Sequence, residues 1–511
     1  MDLNAPTMTP KPSELFDNLC KLMRKTISLN TKTAPFEMEK IEPQNVKGFR
    51  DLPPRFAARK NEIVSIIKRV YESFGFLPVE TPGLEYLRTL RGEYGEENTK
   101  QIFLVKDPDY AQPKLVLDIA LRFDLTVPLA RMVAQYNDLP KPFKRYQVGS
   151  VWRADKPDPG RFREFTQFDV DVVGSSSQLA EAEVISAVVK ALQEIGVGEF
   201  IVNVNSRKVL NAVVAYSGIQ AERAKDVFRV LDKLNKIGMQ NIELELTKGR
   251  FDSSGDFIQG LGLTDSNVEK LKDYLGLPNG ERKPVLDEIA SLLGNESCSD
   301  LKSLDEFLDV LGLASNIVTF DPTIARGLDY YTGPVFEVSL KDKPQFGSIA
   351  GGGRYDNLVK RFTDTDLPAV GFSIGVDRLL AALPATSSDE ASATDLVDVV
   401  VTIMEQTKLP EYLKIANELR VAGLRTDLYL GTEKSLRKQL QYADKVGAKY
   451  AVIVGSNEFE KGAVTIKDLT AGAEASKDVA KREEWLKKSR EIQREIPRAE
   501  IAEELRKLLS A

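Results

Sequence analysis

GSVWRADKPDPGRFREFTQFDVDVVG, residues 149–174, decides how the rest of the chain is read. Two alternating apolar runs, Val148–Trp152 and Phe165–Val173, flank a polar turn holding Pro157, Pro159 and Gly160. That pattern predicts two antiparallel strands joined by a long loop. Arg153, Arg161 and Arg163 sit on or beside the loop, and Gln167, Asp169 and Asp171 follow on the second strand. Side chains of one parity share a face of a strand, so these three point the same way. Guanidiniums next to a carboxylate-lined strand can hold a polyanion beside a small cationic or polar molecule; an exposed hairpin with ion pairs would carry the same residue types.

The totals narrow the chemistry. A length of 511 residues suits roughly three domains. Hydrophobic and charged contents of 42% and 29% are those of a soluble globular protein. No apolar run approaches the roughly 20 residues of a membrane span. Asp2, Glu14 and Asp17 occupy the N-terminal region without a basic-then-apolar start, so no secretory or transit signal is expected. Two distant cysteines, Cys20 and Cys298, suit a reducing compartment, and a cytoplasmic location is expected. A net charge of −6 argues against a generally basic nucleic-acid coat while leaving room for local basic patches.

The chain contains no histidine. Imidazole general bases, Ser–His triads and His-ligated zinc are therefore excluded. Chemistry must rest on carboxylates, Arg, Lys, backbone dipoles and oxygen-bound Mg2+. Polyphosphate chemistry fits, being catalysed largely by positioning and charge stabilisation.

Working outward, the spacing of Phe56, Ile63, Ile66, Ile67, Val70 and Phe74 predicts a helix over 55–74, followed by a strand at 76–79. Ser13–Ile27 has the pattern of a short amphipathic helix. Ser175–Ser177 offer caps to a helix marked by Leu179, Ile185, Val188 and Leu192, and Phe200–Val204 alternates as a strand. Hairpins and helices both connect the strands, which predicts an α+β domain with a mixed, mainly antiparallel sheet. The expected organisation is an N-terminal extension (1–45), a core from 46–205 and 316–383, a mainly helical insertion (206–315), a small polar linker (384–394), an α/β domain (395–475) and a charged helical tail (476–511).

Three further segments look chemically committed. RFDLT (122–126) places Asp124 and Thr126 at a strand end, where Asp also serves as a helix cap. ARGLDYYTGPVFE (325–337) pairs Arg326 with Tyr330 and Tyr331, as a cation-and-aromatic pocket or a packed turn would. SIAGGGRYDNLV (348–359) is followed by PAVGFSIGVDRLLAAL (368–383). The first lacks a Walker or dinucleotide fingerprint; its glycines permit positive φ or close backbone approach. In the second, Gly371 and Gly375 would leave a flat surface for a planar group, with Arg378 opening the next helix.

Together these segments resemble the class II aminoacyl-tRNA synthetases, and within them the histidyl-tRNA synthetase family. The hairpin resembles class motif 2, FSIGVDRLL motif 3, and the Pro82 region the dimer-forming motif 1. ARGLDYYTGPVFE, SIAGGGRYDNLV and KGFRDLPP (47–54) resemble segments peculiar to the family, in consistent order over about residues 46–470. The resemblance implies a class II catalytic fold and ATP-dependent ligation of L-histidine to tRNA(His) through a histidyl-adenylate. It implies a histidine pocket of Asp124, Thr126, Arg153, Gln167, Asp171, Arg326, Tyr330, Tyr331 and Tyr355. ATP would be gripped by Arg153, Asp155, Arg161, Arg163 and Arg378, with Arg153 and Arg326 catalytic. Mg2+ would assist through ligands the sequence leaves unknown, and the chain would work as a homodimer. The 395–475 domain resembles this group's anticodon-binding domain. Its stretch 424–449 carries Arg425, Lys434, Arg437, Lys438, Lys445 and Lys449 against Asp427, Glu433 and Asp444. Competing implications are a catalytically idle, histidine-binding paralogue of the ATP phosphoribosyltransferase regulatory type, or another class II synthetase such as the prolyl or threonyl enzyme. The sequence departs from the pattern at Ala154 and Thr166, where the family often has histidine, and at Asp124 and Asp155, where it often has Glu.

A chain of this activity with no histidine can be translated when charged histidine tRNA is scarce. Its synthesis during histidine starvation, followed by pulse labelling, is expected to outlast that of histidine-containing proteins of similar turnover. A parallel decline would count against selection for the missing residue.

Overall fold

The computed structural model describes residues 41–91, 101–105, 119–158, 160–252, 254–325, 330–383, 396–470 and 492–510, excluding the side chains of 235 and 236. The chain divides into two units, Met1–Lys47 and Gly48–Ala511. Of the first, residues 41–47 are described as an exposed, irregular stretch. The helix expected at Ser13–Ile27, Cys20 and the linker lie outside the described residues, as do Arg326 and Pro159.

The second unit is built on an eight-stranded sheet. Its strands are β1 (Leu77–Pro78), β2 (Phe143–Trp152), β3 (Glu164–Val173), β4 (Phe200–Ser206), β5 (Val318–Phe320), β6 (Pro334–Leu340), β7 (Ser348–Arg354) and β8 (Ala369–Gly375). The order is β1-β2-β3-β8-β7-β6-β4-β5. The six central strands pair antiparallel, and β1 and β5 add in parallel at the two edges. The hairpin around residues 149–174 is thus β2–β3, each strand longer than its apolar run.

Alternation along β3 sorts its two faces. Phe168, Val170 and Val172 pack into a core with Ile63, Ile67 and Tyr71 of helix α1 (Pro54–Ser73) and Val184, Ile185, Val188 and Leu192 of α2 (Leu179–Ile195). The amphipathic spacing read from both segments is what lets each lay one stripe on the sheet. Proline fills the first turn of α1, and α2 closes on Gly196 in the left-handed conformation. The other face of β3 carries Phe165, Gln167, Asp169 and Asp171 toward an open cavity.

Glycines in β8 and β2 make that polar face possible. A Cβ on Gly371 would lie 1.9 Å from Asp171 Oδ1 across the ladder, and one on Gly149 would lie 2.5 Å from Arg122 Nη2. The space at Gly371, expected to be left open for a planar group, is therefore filled by the Asp171 carboxylate. At Gly375 an added Cβ would make only ordinary contacts, from 3.5 Å. Gly351–Gly353 form an extended part of β7 and none of them has positive φ.

Residues 207–310 are mainly helical, and their apolar faces (Val213, Phe228, Leu271, Ile289, Leu304) join the same core as the sheet. A two-stranded hairpin, Gly249–Phe251 with Phe257–Gln259, interrupts the helices. It was not expected, because each strand has only three residues and no periodicity to read.

The C-terminal strands β9 (Val399–Val401), β10 (Thr426–Leu428), β11 (Tyr450–Ile453), β12 (Ala463–Asp468) and β13 (Gln493–Pro497) form a second sheet ordered β10-β9-β11-β12-β13. It has its own core with helix Leu409–Val421, around Tyr412, Leu419, Val452 and Ile466. The segment read as a separate charged tail instead completes this unit. β13 pairs antiparallel with β12, and helix Ile501–Ser510 buries Ile501 and Leu505 in the same core. An edge strand needs few apolar residues, so β13 has little signature beyond Ile496.

Gly371→Ala is expected to displace Asp171 and break its contacts, lowering stability by about 3 kcal/mol or more. Chemical denaturation reads this directly. A change below about 0.5 kcal/mol would show that the carboxylate has room to move.

Candidate active site

One cavity of about 480 Å3 lies on the polar face of β3, lined also by residues of the β2–β3 loop and by Tyr330 and Tyr331. A strand advances about 3.4 Å per residue, so Phe165 and Asp171 stand about 20 Å apart along its floor. The two ends differ in charge.

The acidic end is built from β3, β7 and the turn before helix α3 (Thr126–Gln135). Asp124 accepts the backbone N–H of Val127 (3.0 Å) in the first turn of this helix, and Thr126 lines the cavity beside it. Burial raises its carboxyl to about 6, against the lowering effects of that N–H and of Arg153. Asp171 Oδ1 accepts the Tyr355 hydroxyl (2.6 Å), and its Oδ2 lies 2.8 Å from Nη2 of the buried Arg145. Burial still pushes Asp171 upward; Arg145 and Tyr355 restrain the rise. Tyr330 and Tyr331 close this end with rings 4.2 Å apart.

Asp169 lies between these groups and was not assigned to the site from sequence. It is 2% exposed, lines the cavity, and its Oδ1 has no hydrogen-bond partner among the described residues. Burial raises it to about 7, with Arg145 pulling down and Asp171 pushing up. Gln167 beside it donates from Nε2 to Ser373 Oγ (2.9 Å), and its Oε1 has no partner among the described residues. The signal for Asp169 was present in its parity with Gln167 and Asp171. Arg145, the cation that holds Asp171, shares parity with Gln147 and Gly149 on β2, but only the register Arg145↔Asp171 makes it meaningful.

The cationic end is formed by the loop and by helix α4 (Val376–Ala382). Arg153 donates from Nε to the Phe123 carbonyl (2.9 Å), and its guanidinium lies 5.2 Å from the Phe165 ring centroid. Arg161 donates from Nε to Asp155 Oδ2 (3.0 Å), with Nη2 on the same oxygen. Arg378 donates from Nη1 to the Ser348 carbonyl (2.6 Å). All four of these charged side chains line the cavity, as do Phe162 and Phe165, which the sequence did not single out. Arg163 is not among the lining residues; its Nε donates to the Asp155 carbonyl (3.1 Å) behind the loop. Asp124, Thr126, Gln167, Asp171, Tyr330, Tyr331 and Tyr355 line the same cavity. It therefore offers arginines and aromatic faces for an anionic, planar group at one end, and carboxylates for a cationic group at the other.

Residues 48–379 match the family model described as histidyl-tRNA synthetase, and residues 398–489 match one described as anticodon binding domain. Histidine–tRNA ligase of Cereibacter sphaeroides is 42% identical over 91% of this chain and 97% of that protein. The enzyme of the same name from Paracoccus denitrificans is 40% identical over 91% and 97%. This chain belongs to the histidyl-tRNA synthetase family. Among solved structures, histidyl-tRNA synthetase from Nostoc sp. PCC 7120 superposes with a TM-score of 0.72 at 31% identity, covering 92% of this chain and all of that one. A protein from Bacillus halodurans titled ATP phosphoribosyltransferase regulatory subunit/histidyl-tRNA synthetase gives 0.63 at 26% identity, over 80% of this chain and 97% of that one. The mixed sheet and C-terminal α/β unit are the class II fold of this family.

The raised carboxyls carry a cost in the ligand-free protein. Folded Asp169 keeps its proton up to about pH 7, whereas an unfolded Asp loses it near pH 3.9. The folded state then holds more protons in that window, so native stability falls as pH rises through it. Asp169→Asn removes this loss. Its unfolding temperature is expected to exceed that of the wild type by about 2–4 °C at pH 8, with the difference vanishing near pH 4. A variant equally destabilised at both pH values would show that Asp169 is held ionised.

Proposed function

We propose that the chain ligates L-histidine to tRNA(His) at the expense of ATP, through a histidyl-adenylate. The observation that carries the reading is the single cavity with carboxylates at one end of β3 and arginines at the other, in a chain of the histidyl-tRNA synthetase family. Histidine would lie at the acidic end. Asp124, Thr126 and Gln167 would take its α-ammonium, and Asp169, Asp171 and the tyrosines its imidazole. A pocket that satisfies buried polar groups only through such donors rejects apolar isosteres. ATP would lie at the cationic end against Phe165, with Arg153, Arg161 and Arg378 on its phosphates and ring.

In the first step a carboxylate oxygen of histidine attacks the α-phosphorus in line and pyrophosphate leaves. Arg153, and Arg326 by resemblance, neutralise the developing charge. The nucleophile is already an anion, so no protein base is needed. In the second step a terminal ribose hydroxyl of the tRNA attacks the acyl carbon, its proton passes to an oxygen of the departing phosphate, and AMP leaves. Mg2+ would enter with ATP and add positive charge at its phosphates beside Arg153 and Arg378. Among the described residues no group of three or more candidate metal ligands is assembled. The C-terminal unit, matched by the anticodon-binding model, would hold the other end of the tRNA.

Homodimerisation is part of the proposal. Leu77 on edge strand β1 and Leu84 and Tyr86 beside Pro82 are exposed, in the region that resembles motif 1, and Leu104 is exposed on a strand of the small sheet that residues 84–86 join. A cytoplasmic location is also proposed, supported by the buried free thiol of Cys298; no helix among the described residues is long and apolar enough to cross a membrane.

ATP–pyrophosphate exchange is expected with histidine and not with proline or threonine. Intact histidine binding without exchange would favour the idle-paralogue reading. Arg326→Ala is expected to lower turnover about a hundredfold or more while changing the histidine KM little. Equal losses in both would make Arg326 a binding residue only.

A further inference from the structure

The segment Gly48–Arg50 touches the cavity wall from behind. The Gly48 carbonyl accepts the backbone N–H of Arg163 (2.9 Å), which lays the segment along the β2–β3 loop. Gly48 has φ +87°, and a Cβ there would lie 2.8 Å from the Arg163 side chain. Two residues on, the Arg50 guanidinium lies 3.7 Å from the ring centroid of Phe162, which lines the cavity. Arg50 Nη2 also donates to Asp377 Oδ1 (2.7 Å).

Asp377 gathers several elements on one buried carboxylate. Its Oδ2 accepts the backbone N–H of Thr166 on β3 (2.6 Å), with Lys60 Nζ of α1 at 3.5 Å. It sits beside Arg378 in α4, whose side chain lines the cavity. Burial alone would raise its pKa; the Thr166 N–H and Arg50 outweigh that and hold it below the usual range. Neither Arg50 nor Asp377 lines the cavity, so any effect on a ligand passes through Phe162, Arg378 and β3.

We infer that Arg50 and Asp377 form a positioning pair that holds Phe162 and Arg378 in place for the nucleotide, setting affinity for ATP and not the rate of the chemical step. The inference rests on the nucleotide reading of the cationic end. A ring held by a cation on one face keeps its other face and edge free for a ligand. A carboxylate shared between α4 and β3 fixes the distance between Arg378 and the start of β3.

Arg50 is partly exposed, whereas neutralising buried Asp377 threatens folding; the test therefore uses Arg50. In histidine-dependent exchange, Arg50→Ala is expected to raise the KM for ATP about tenfold, with kcat within about threefold and the histidine KM unmoved. In a Phe162→Leu background the same substitution is expected to shift the ATP KM by only about threefold, because the route through Asp377 and Arg378 alone remains. An ATP KM unchanged by Arg50→Ala in an active enzyme overturns the inference alone. So does an equal rise in both KM values, or an undiminished effect in the Phe162→Leu background. A wild type that fails to exchange with histidine overturns the functional reading and the inference with it.

Discussion

The period of two along Glu164–Val173 is the constraint on which the rest depends. Phe168, Val170 and Val172 anchor helices α1 and α2 on one side, while Phe165, Gln167, Asp169 and Asp171 floor the cavity on the other. A slip of one residue would put two carboxylates into the helix core and three large apolar groups into the cavity. The apolar parity therefore fixes the polar one. The central antiparallel strands then determine which partner each polar group meets: Asp171 lies between Arg145 and Gly371, and Asp169 between Gln147 and Ser373.

That arrangement puts charge where it is expensive. Ionised groups taken out of water cost several kcal/mol each unless paired. The protein answers with Arg145 beneath Asp171 and with Arg122, which donates to the Thr81 carbonyl (2.6 Å) and the Ser150 carbonyl (2.9 Å). Outside the cavity, Arg354 makes a bidentate pair with Glu181 (2.6 and 2.7 Å), fastening the start of α2 to the end of β7. Asp169 makes no salt bridge among the described residues, is only partly offset by Arg145, and carries a pKa raised to about 7. The site gives up stability at the point where a cationic ligand can return it.

Much of this was legible in the sequence, because its signals are local. Helices α1 and α2 and the strands of the hairpin follow from spacing alone. The site segments were legible because residue types cluster within a few positions of one another. What escaped is non-local or short. Arg145 reads as one more strand residue until the register sets it against Asp171. Gly371 reads as a bare platform until Asp171 is seen to fill it. The pairing of residues 493–497 with 463–468 joins positions separated by a charged stretch, and a polar edge strand offers no apolar alternation to detect.

The absence of histidine, which first reads as missing chemistry, finds a physical account in the same geometry. At Ala154 and Thr166, where the resemblance leads one to expect histidine, the contacts are made by the main chain. The Ala154 N–H donates to the Gln101 carbonyl (2.9 Å), and the Thr166 N–H donates to Asp377 (2.6 Å). A backbone donor does not depend on the side chain above it, so these positions can change residue type while the loop stays tied. Cationic work at the cavity falls to arginines, which remain charged at any pH the protein meets. A carboxylate nucleophile arrives ionised and needs no imidazole to activate it. The adenylation step therefore involves no proton transfer that an imidazole would have to carry, and the chain can dispense there with the residue it is proposed to bind.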